Sequence, residues 1–274
     1  VDRLLIMSKI LITGASGLLG SSISPYFLRQ NYQVMRHGNN LGVDVNSDLT
    51  NYESTQTILD KICPDIIINL VALTDVDSCE RNPHNAYLIN TKTVENIVKW
   101  VKKNSSCHLI HISTDQVYDN EGPSKENDLK LVNTYAFSKY AADLIALQVN
   151  ATILRTNFFG YSNCNGKISF SDWVLKALHE QEITKVFTDV KFSPLLIATL
   201  CKMLDEVVKS PKPGIFNLGS KFGMSKANFA FNLAKSFDLN SSNLKRTLSS
   251  SFQFEASRPN DMQMDSSYFE KTFK

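Results

Sequence analysis

The segment Gly14-Ala15-Ser16-Gly17-Leu18-Leu19-Gly20 is entered directly from an apolar, β-branched run and followed at once by a helical period, and it constrains the fold more than any other stretch. A strand that turns through glycines into a helix opens a parallel sheet, because parallel neighbours need a crossover between them. The chain then keeps that alternation. Strands are predicted at residues 9–13, 32–35, 65–71, 108–113 and 151–155, and helices at 18–30, 52–62, 85–103 and 135–149. Continuous apolarity, as in Ile66-Ile67-Ile68, fits strands buried on both faces. The predicted class is α/β, a doubly wound parallel sheet.

After about Gly160 the alternation weakens into Asn-, Ser-, Lys- and Pro-rich loops between shorter elements. Residues 7–160 are therefore read mainly as the parallel core and 161–274 mainly as a smaller substrate lobe, with interleaving of the two allowed for. Pro211-Lys212-Pro213-Gly214 reads as a turn into a strand at 215–218, and residues 225–237 as a helix capped by Ser225, with Phe229, Phe231 and Phe237 packing the lobe. The 29 basic and 27 acidic residues nearly balance and no basic block tracks a phosphate backbone, so nucleic acid is not an expected partner. Cys63, Cys79, Cys107, Cys164 and Cys201 are odd in number and scattered, as reduced thiols of a cytoplasmic protein would be. Arg3 and Lys9 interrupt the apolar start, which reads neither as a signal peptide nor as a membrane span, and the residues ahead of Met7 are expected to be a disordered extension. No other apolar run approaches membrane length, so no membrane partner is expected.

The glycine turn has a chemical use. Gly14 permits the tight turn, Gly17 lets a pyrophosphate reach backbone N–H groups at the helix start, and Gly20 allows close packing of helix on strand, so Gly14, Ser16, Gly17, Leu18, Leu19 and Gly20 are predicted to hold a dinucleotide on a Rossmann-type core. NAD-binding proteins place an acid where the second strand ends, whereas this chain has Met35-Arg36-His37. Arg36 suits a 2′-phosphate and so favours NADPH, with NADH left open; the pair Arg36 and His37 also fits a solvated loop. Asp48 and Leu49 stand where a carboxylate and an apolar neighbour would meet adenine, although Asp48 also fits a helix cap.

Tyr135 and Lys139 are four residues apart at the start of a predicted helix and so share one face. A free tyrosine titrates near ~10, too high for efficient proton transfer at neutral pH, and a nearby ammonium is expected to lower it. Such a pair alone is commonplace on exposed helices. Here the fourth strand ends in Ser113-Thr114-Asp115 at the carboxyl edge of the sheet, where open α/β folds bind ligands. Thr114 is then placed to hold a substrate oxygen against Tyr135, although Ser-Thr at a strand end is by itself a turn signal.

With these motifs the chain resembles the extended short-chain dehydrogenase/reductases and, among them, the dTDP-4-dehydrorhamnose reductase family. The similarity runs through residues 14–20, Asn69-Leu70-Val71-Ala72-Leu73-Thr74-Asp75-Val76-Asp77, Ser113-Thr114-Asp115, Tyr135 with Lys139, Arg155-Thr156-Asn157 and Arg258-Pro259. It implies a catalytic triad of Thr114, Tyr135 and Lys139, with Lys139 also on the nicotinamide ribose. Tyr135 would donate a proton while hydride passes from NADPH to the C4 carbonyl of a nucleotide-linked 6-deoxy sugar. Ala72 and Thr74 match positions lining the cofactor. Val76, Thr114, Asp115, Asn157 and Arg258 fall in segments facing the sugar nucleotide, where an arginine fork suits a diphosphate. The implied setting is cytoplasmic synthesis of a surface polysaccharide precursor, by a monomer or homodimer.

The chain also departs from the family pattern. The D-Q-x-G-x-P-T segment stands here as Asp189-Val190-Lys191-Phe192-Ser193-Pro194-Leu195, and N-A-A-A-H-T as Asn69-Leu70-Val71-Ala72-Leu73-Thr74, which leaves the sugar open. Related dehydratases resemble Thr-Asp-Glu after the fourth strand, but Gln116 carries an amide that transfers no proton at neutral pH. An epimerase stays open, as does a non-catalytic NADP-binding subunit like methionine adenosyltransferase β. No metal-ligating residue is assigned and a metal requirement stays open: some relatives use magnesium at a subunit contact, but no matching acidic cluster is legible. His108 and His111, on a strand, point to opposite faces and share no ion.

Overall fold

Alternate side chains of a strand go to opposite faces of a sheet, and here that alternation sets the layers. The computed structural model describes residues 8–38, 42–164 and 168–273. Met7 and the extension expected ahead of it lie outside the described residues. The first strands are β1 (Lys9–Thr13), β2 (Gln33–Arg36), β3 (Ile66–Asn69), β4 (His108–Thr114) and β5 (Ala151–Thr156). The short β6 (Phe158–Phe159), β7 (Thr184–Phe187), β8 (Lys191–Phe192) and β9 (Leu195–Leu196) precede β10 (Gly214–Leu218). One sheet of six parallel strands runs β10-β5-β4-β3-β1-β2. Its order reverses between β1 and β3, so a crevice opens at their carboxyl ends.

The helices are α1 (Gly20–Arg29), α2 (Tyr52–Ile62), the short α3 (Val76–Arg81) and α4 (Pro83–Ala86), then α5 (Thr93–Lys103), α6 (Thr134–Ala146), α7 (Phe170–His179), α8 (Ile197–Lys209), α9 (Lys226–Ser236) and α10 (Ser267–Thr272). On one face of the sheet Leu11, Ile67, Leu109 and Ile153 pack with α2, α5 and α6. On the other, Ile10, Ile68, Ile110 and Leu154 meet α1, α8 and Phe269 of α10. Each large side chain so buried contributes about 1.5–3 kcal/mol. The chain therefore returns to the main sheet late, with α8 covering a face and β10 extending the edge. A smaller lobe holds α7 and α9, with β8 joined by β11 (Met224–Ser225), β7 by β12 (Leu244–Thr247), and β8 again by β13 (Asp261–Met262).

Several predicted bounds shift. Helix α1 starts at Gly20, leaving Leu18 and Leu19 in the turn, and α6 stops at Ala146, where Gln148 and Val149 close a tighter last turn on Ile145 and Ala146. The single helix expected over 85–103 is three pieces: α4, a π-helical turn at Tyr87–Lys92, and α5. The reason is local. The π turn brings Asn90 inward, where its Oδ1 accepts from Leu73 N at 2.7 Å and its Nδ2 donates to Leu73 O and to Ser138 Oγ. Phe229 and Phe231 do pack in the lobe, but Phe237 ends α9 largely in solvent, past the last apolar turn.

Candidate active site

The crevice between β1 and β3 is a cleft of about 480 Å³ whose walls include Gly14, Ser16, Gly17, Asp48, Leu49 and Ala72. Gly14 holds φ +69°, and a Cβ there would lie 3.0 Å from the backbone of Leu70 and Val71. Leu18, Leu19 and Gly20 stand behind that wall, in the turn and the opening of α1, which has no side-chain cap at its N-terminus. An uncapped helix end behind a glycine turn fits the phosphates of a dinucleotide. Gly20 carries the tightest packing: a Cβ would sit 2.5 Å from Ala15 Cα and from Gly14 O. Gly20→Ala is expected to cost about 1–3 kcal/mol by forcing that backbone apart, read as a lower thermal midpoint, and an unchanged midpoint would contradict the contact.

Not every predicted residue is in this cleft. Arg36 is not among its wall residues; its guanidinium forks onto Asp44, Nη2 to Oδ1 at 2.8 Å and Nε to Oδ2 at 3.0 Å. His37 takes the wall position instead and lies 2.9 Å from Ser47 O. Asp48 accepts from Thr50 N and Oγ1, while the cap of α2 is Asn51, so the capping alternative for Asp48 does not hold. Thr74 is exposed beyond the wall.

Thr114, Tyr135 and Lys139 are all buried, the first ending β4 and the other two on one face of α6. Asn133 starts that helix by accepting from Ala136 N at 2.8 Å, which sets Tyr135 in its first turn. The Tyr135 ring packs with Val76, Cys79, Ala86 and Ala256, and Leu73 of the cleft wall closes the same cluster. The expected lowering of the tyrosine by Lys139 is corrected here. Burial dominates and holds the phenol above its usual range, with the Thr114 hydroxyl working the other way. Lys139 Nζ donates instead to Ile112 O at 2.8 Å and lies 3.5 Å from His111 Nε2. Burial lowers its pKa to about 8, and Asp143 opposes that shift. Behind Lys139, His111 Nδ1 is 3.1 Å from Asn69 Nδ2, and Asn69 Oδ1 accepts from Thr13 Oγ1, a buried chain from β1 to α6.

A second cavity of about 650 Å³ opens into the smaller lobe, with Asn157, Gln116, Lys226 and Arg258 on its wall. Asp115 is fully engaged beneath it, Oδ2 accepting from Asn157 Nδ2 at 2.8 Å, and burial raises its pKa to about 6. Arg258 Nη2 pairs with Asp77 Oδ2 at 2.7 Å over the Phe254 ring, while its Nη1 is buried without a partner among the described residues. Phe252 and Phe254 stack at 6.1 Å with Phe187 edge-on, giving the cavity flat apolar faces. Of the predicted sugar-facing residues Asn157 and Arg258 are on the wall of this cavity, whereas Val76 packs on Tyr135 and Thr114 and Asp115 are buried off that wall. Among the described residues no group of three or more His, Cys, Asp or Glu could hold a metal ion, and no helix is long and apolar enough to cross a membrane.

The family described as RmlD substrate binding domain matches residues 7–274. The chain belongs to that family. It is 29% identical to the probable low-salt glycan biosynthesis reductase Agl14 of Haloferax volcanii, over 80% of this chain and 76% of that protein. It is 28% identical to a dTDP-4-dehydrorhamnose reductase of Aggregatibacter actinomycetemcomitans, over 82% of this chain and 77% of that protein. Its fold is similar to that of a Bacillus anthracis dTDP-4-dehydrorhamnose reductase solved with NADP, with a TM-score of 0.89, 23% identity, and cover of 98% of this chain and 94% of that one.

For this RmlD-family chain, sequence reasoning missed Asn90, Asp143 and Lys226. Asn90 is invisible because a π turn breaks the helical period, and Asp143 reads as a surface acid until Arg155 is seen buried beside it. Lys226 left one legible sign. It follows the N-cap Ser225, where a cation opposes the helix dipole and needs some other reason to be there.

Proposed function

We propose that this RmlD-family chain reduces the 4-keto group of a nucleotide-linked 6-deoxy sugar with NADPH, in the synthesis of a surface polysaccharide precursor. The observation that carries the proposal is the meeting of Thr114, Tyr135 and Lys139 between the two cavities. Leu73 joins the cleft wall to the Tyr135 cluster, and Gln116 N, donating to Thr114 Oγ1 at 3.2 Å, joins the triad to the second cavity. Both curated relatives described above are named as reductases. A nicotinamide held there would supply the hydride. Tyr135 gives its proton to the developing alkoxide, and burial that favours the neutral phenol keeps that proton in place at neutral pH. Thr114 orients the carbonyl oxygen. Lys139 holds the cofactor ribose, and its ammonium favours the phenolate left after transfer.

Gly14, Ser16, Gly17, Leu18, Leu19 and Gly20 would hold the pyrophosphate, Asp48 and Leu49 the adenosine, and Ala72, with Thr74 beyond the wall, would stand along the cofactor. Arg36 would hold a 2′-phosphate in place of Asp44, which is the basis for favouring NADPH over NADH. Residues 7–160 on this reading serve mainly the cofactor and 161–274 mainly the sugar nucleotide, for which Val76, Asp115, Asn157 and Arg258 form the contacts. We place the protein in the cytoplasm, as a monomer or homodimer that does not engage nucleic acid.

The test is a panel of nucleotide-linked 4-keto-6-deoxy sugars assayed for NADPH and NADH oxidation. Stoichiometric loss of NADPH is expected, whereas isomerisation without net cofactor change would identify an epimerase. A second test is the pH profile. Lys139 is charged only below its lowered pKa, so kcat/KM for NADPH should fall as pH rises through about 8. A profile flat to high pH would remove Lys139 from cofactor binding.

A further inference from the structure

Lys226 opens α9 at the wall of the second cavity, half-buried, with its ammonium 3.6 Å from the centre of the Phe192 ring and 4.5 Å from that of Phe170. Those rings fix the charge against the wall. Among the described residues no carboxylate, carbonyl or hydroxyl accepts from Nζ, so the donor set of a partly desolvated ammonium is left open toward the cavity. The cost of such a group is recovered when a ligand brings an acceptor. Burial lowers its pKa to about 8, and Asp115 is the one acid that opposes the shift. Geometry puts Lys226 near the Thr114 end, because it shares its wall with Gln116, whose N donates to Thr114 Oγ1, and with Asn157, which donates to Asp115.

We propose that Lys226 is a specificity-determining residue whose ammonium donates to a hydroxyl of the substrate's sugar. A hydroxyl fits better than a carboxylate, since Asp115 already offsets the local positive charge and would repel a second anion. The side-chain oxygen of Gln116, on the same wall and buried without a partner among the described residues, is a ready acceptor for a hydroxyl proton at that end. The diphosphate is left to Arg258, whose planar fork is the better match for it. The inference rests on the sugar-nucleotide reading of this cavity and sharpens it.

The variant Lys226→Met keeps the apolar stem on Phe192 and removes the donor. Binding of dTDP and dTDP-glucose, with UDP and UDP-glucose alongside, is measured by titration calorimetry on wild type and variant. The hexose nucleotides should weaken about tenfold to a hundredfold in the variant, as expected for a lost charge-assisted hydrogen bond, while the bare diphosphates keep their affinity within about twofold. Equal weakening of diphosphate and hexose nucleotide overturns the inference, because Lys226 would then act on the phosphates or on the fold. No weakening of either, or wild type binding no hexose nucleotide more tightly than its diphosphate, overturns it as well. If wild type reduces no keto-sugar nucleotide but the variant still loses only the hexose increment, the reductase reading fails and the Lys226 assignment stands.

Discussion

Tyr135→Phe should lower kcat for reduction of the keto-sugar by about a thousandfold, since general-acid catalysis by a positioned side chain is worth roughly 10²–10⁴. The substitution removes one hydroxyl from a ring that is almost wholly enclosed by Val76, Cys79, Ala86 and Ala256, so shape and packing are preserved. Affinity for NADPH, followed by fluorescence, should be unchanged, because the cleft wall is built by other residues. Loss of turnover with intact cofactor binding is therefore the expected pattern. Equal activity of variant and wild type on every keto-sugar nucleotide would instead favour a protein that keeps a nucleotide fold without its chemistry, and turnover would have to be sought elsewhere. The opposing signs around Tyr135 make the prediction sharp. Burial raises the phenol, so a neutral acid is present at working pH, and only a nearby oxyanion in the reacting state draws its proton away.

The parallel core was legible because its signals are local. β1 and α2 lie where the hydrophobic period and the glycine turn put them, and the alternation of Leu11 and Ile67 against Ile10 and Ile68 follows from strand geometry. The carboxyl edge of β4, with Thr114, and the shared face of Tyr135 and Lys139 were legible for the same reason. What escaped depends on distant partners. The return of α8 and β10 to the main sheet needs pairing between residues 152–156 and 214–218, which no local pattern encodes. Arg36 looked free in the sequence, but the carboxylate of Asp44, eight residues on, lies against its guanidinium. The sign of the tyrosine shift was misread because a neighbour in sequence was weighed without the desolvation that burial imposes on both groups. Lys226 was missed since its meaning lies in Phe170 and Phe192, brought in from elsewhere in the chain.

Asp143→Ala should destabilise the protein by about 3–5 kcal/mol, a large share of the roughly 5–15 kcal/mol that holds a typical domain together. Asp143 and Arg155 are fully enclosed between α6 and β5, with Arg155 Nε donating to Asp143 Oδ2 at 3.0 Å. The other end of the guanidinium, Nη1, is held by Tyr118 Oη at 2.8 Å and Glu126 O at 2.7 Å, so Arg155 cannot swing out to water when its carboxylate is removed. An uncompensated buried charge remains, and that is the costly outcome. Urea unfolding reads it as a lower midpoint at similar slope. Asp143→Asn, which keeps an acceptor but drops the charge, should fall between the two. The same variants reach the candidate site, because Asp143 is what holds the Lys139 pKa up against burial. Without it the lysine loses its proton at lower pH, and the fall in kcat/KM for NADPH should move below its wild-type position near 8. A merely structural Asp143 would lower the unfolding midpoint and leave that limb in place; movement of both ties the buried ion pair to the charge on Lys139.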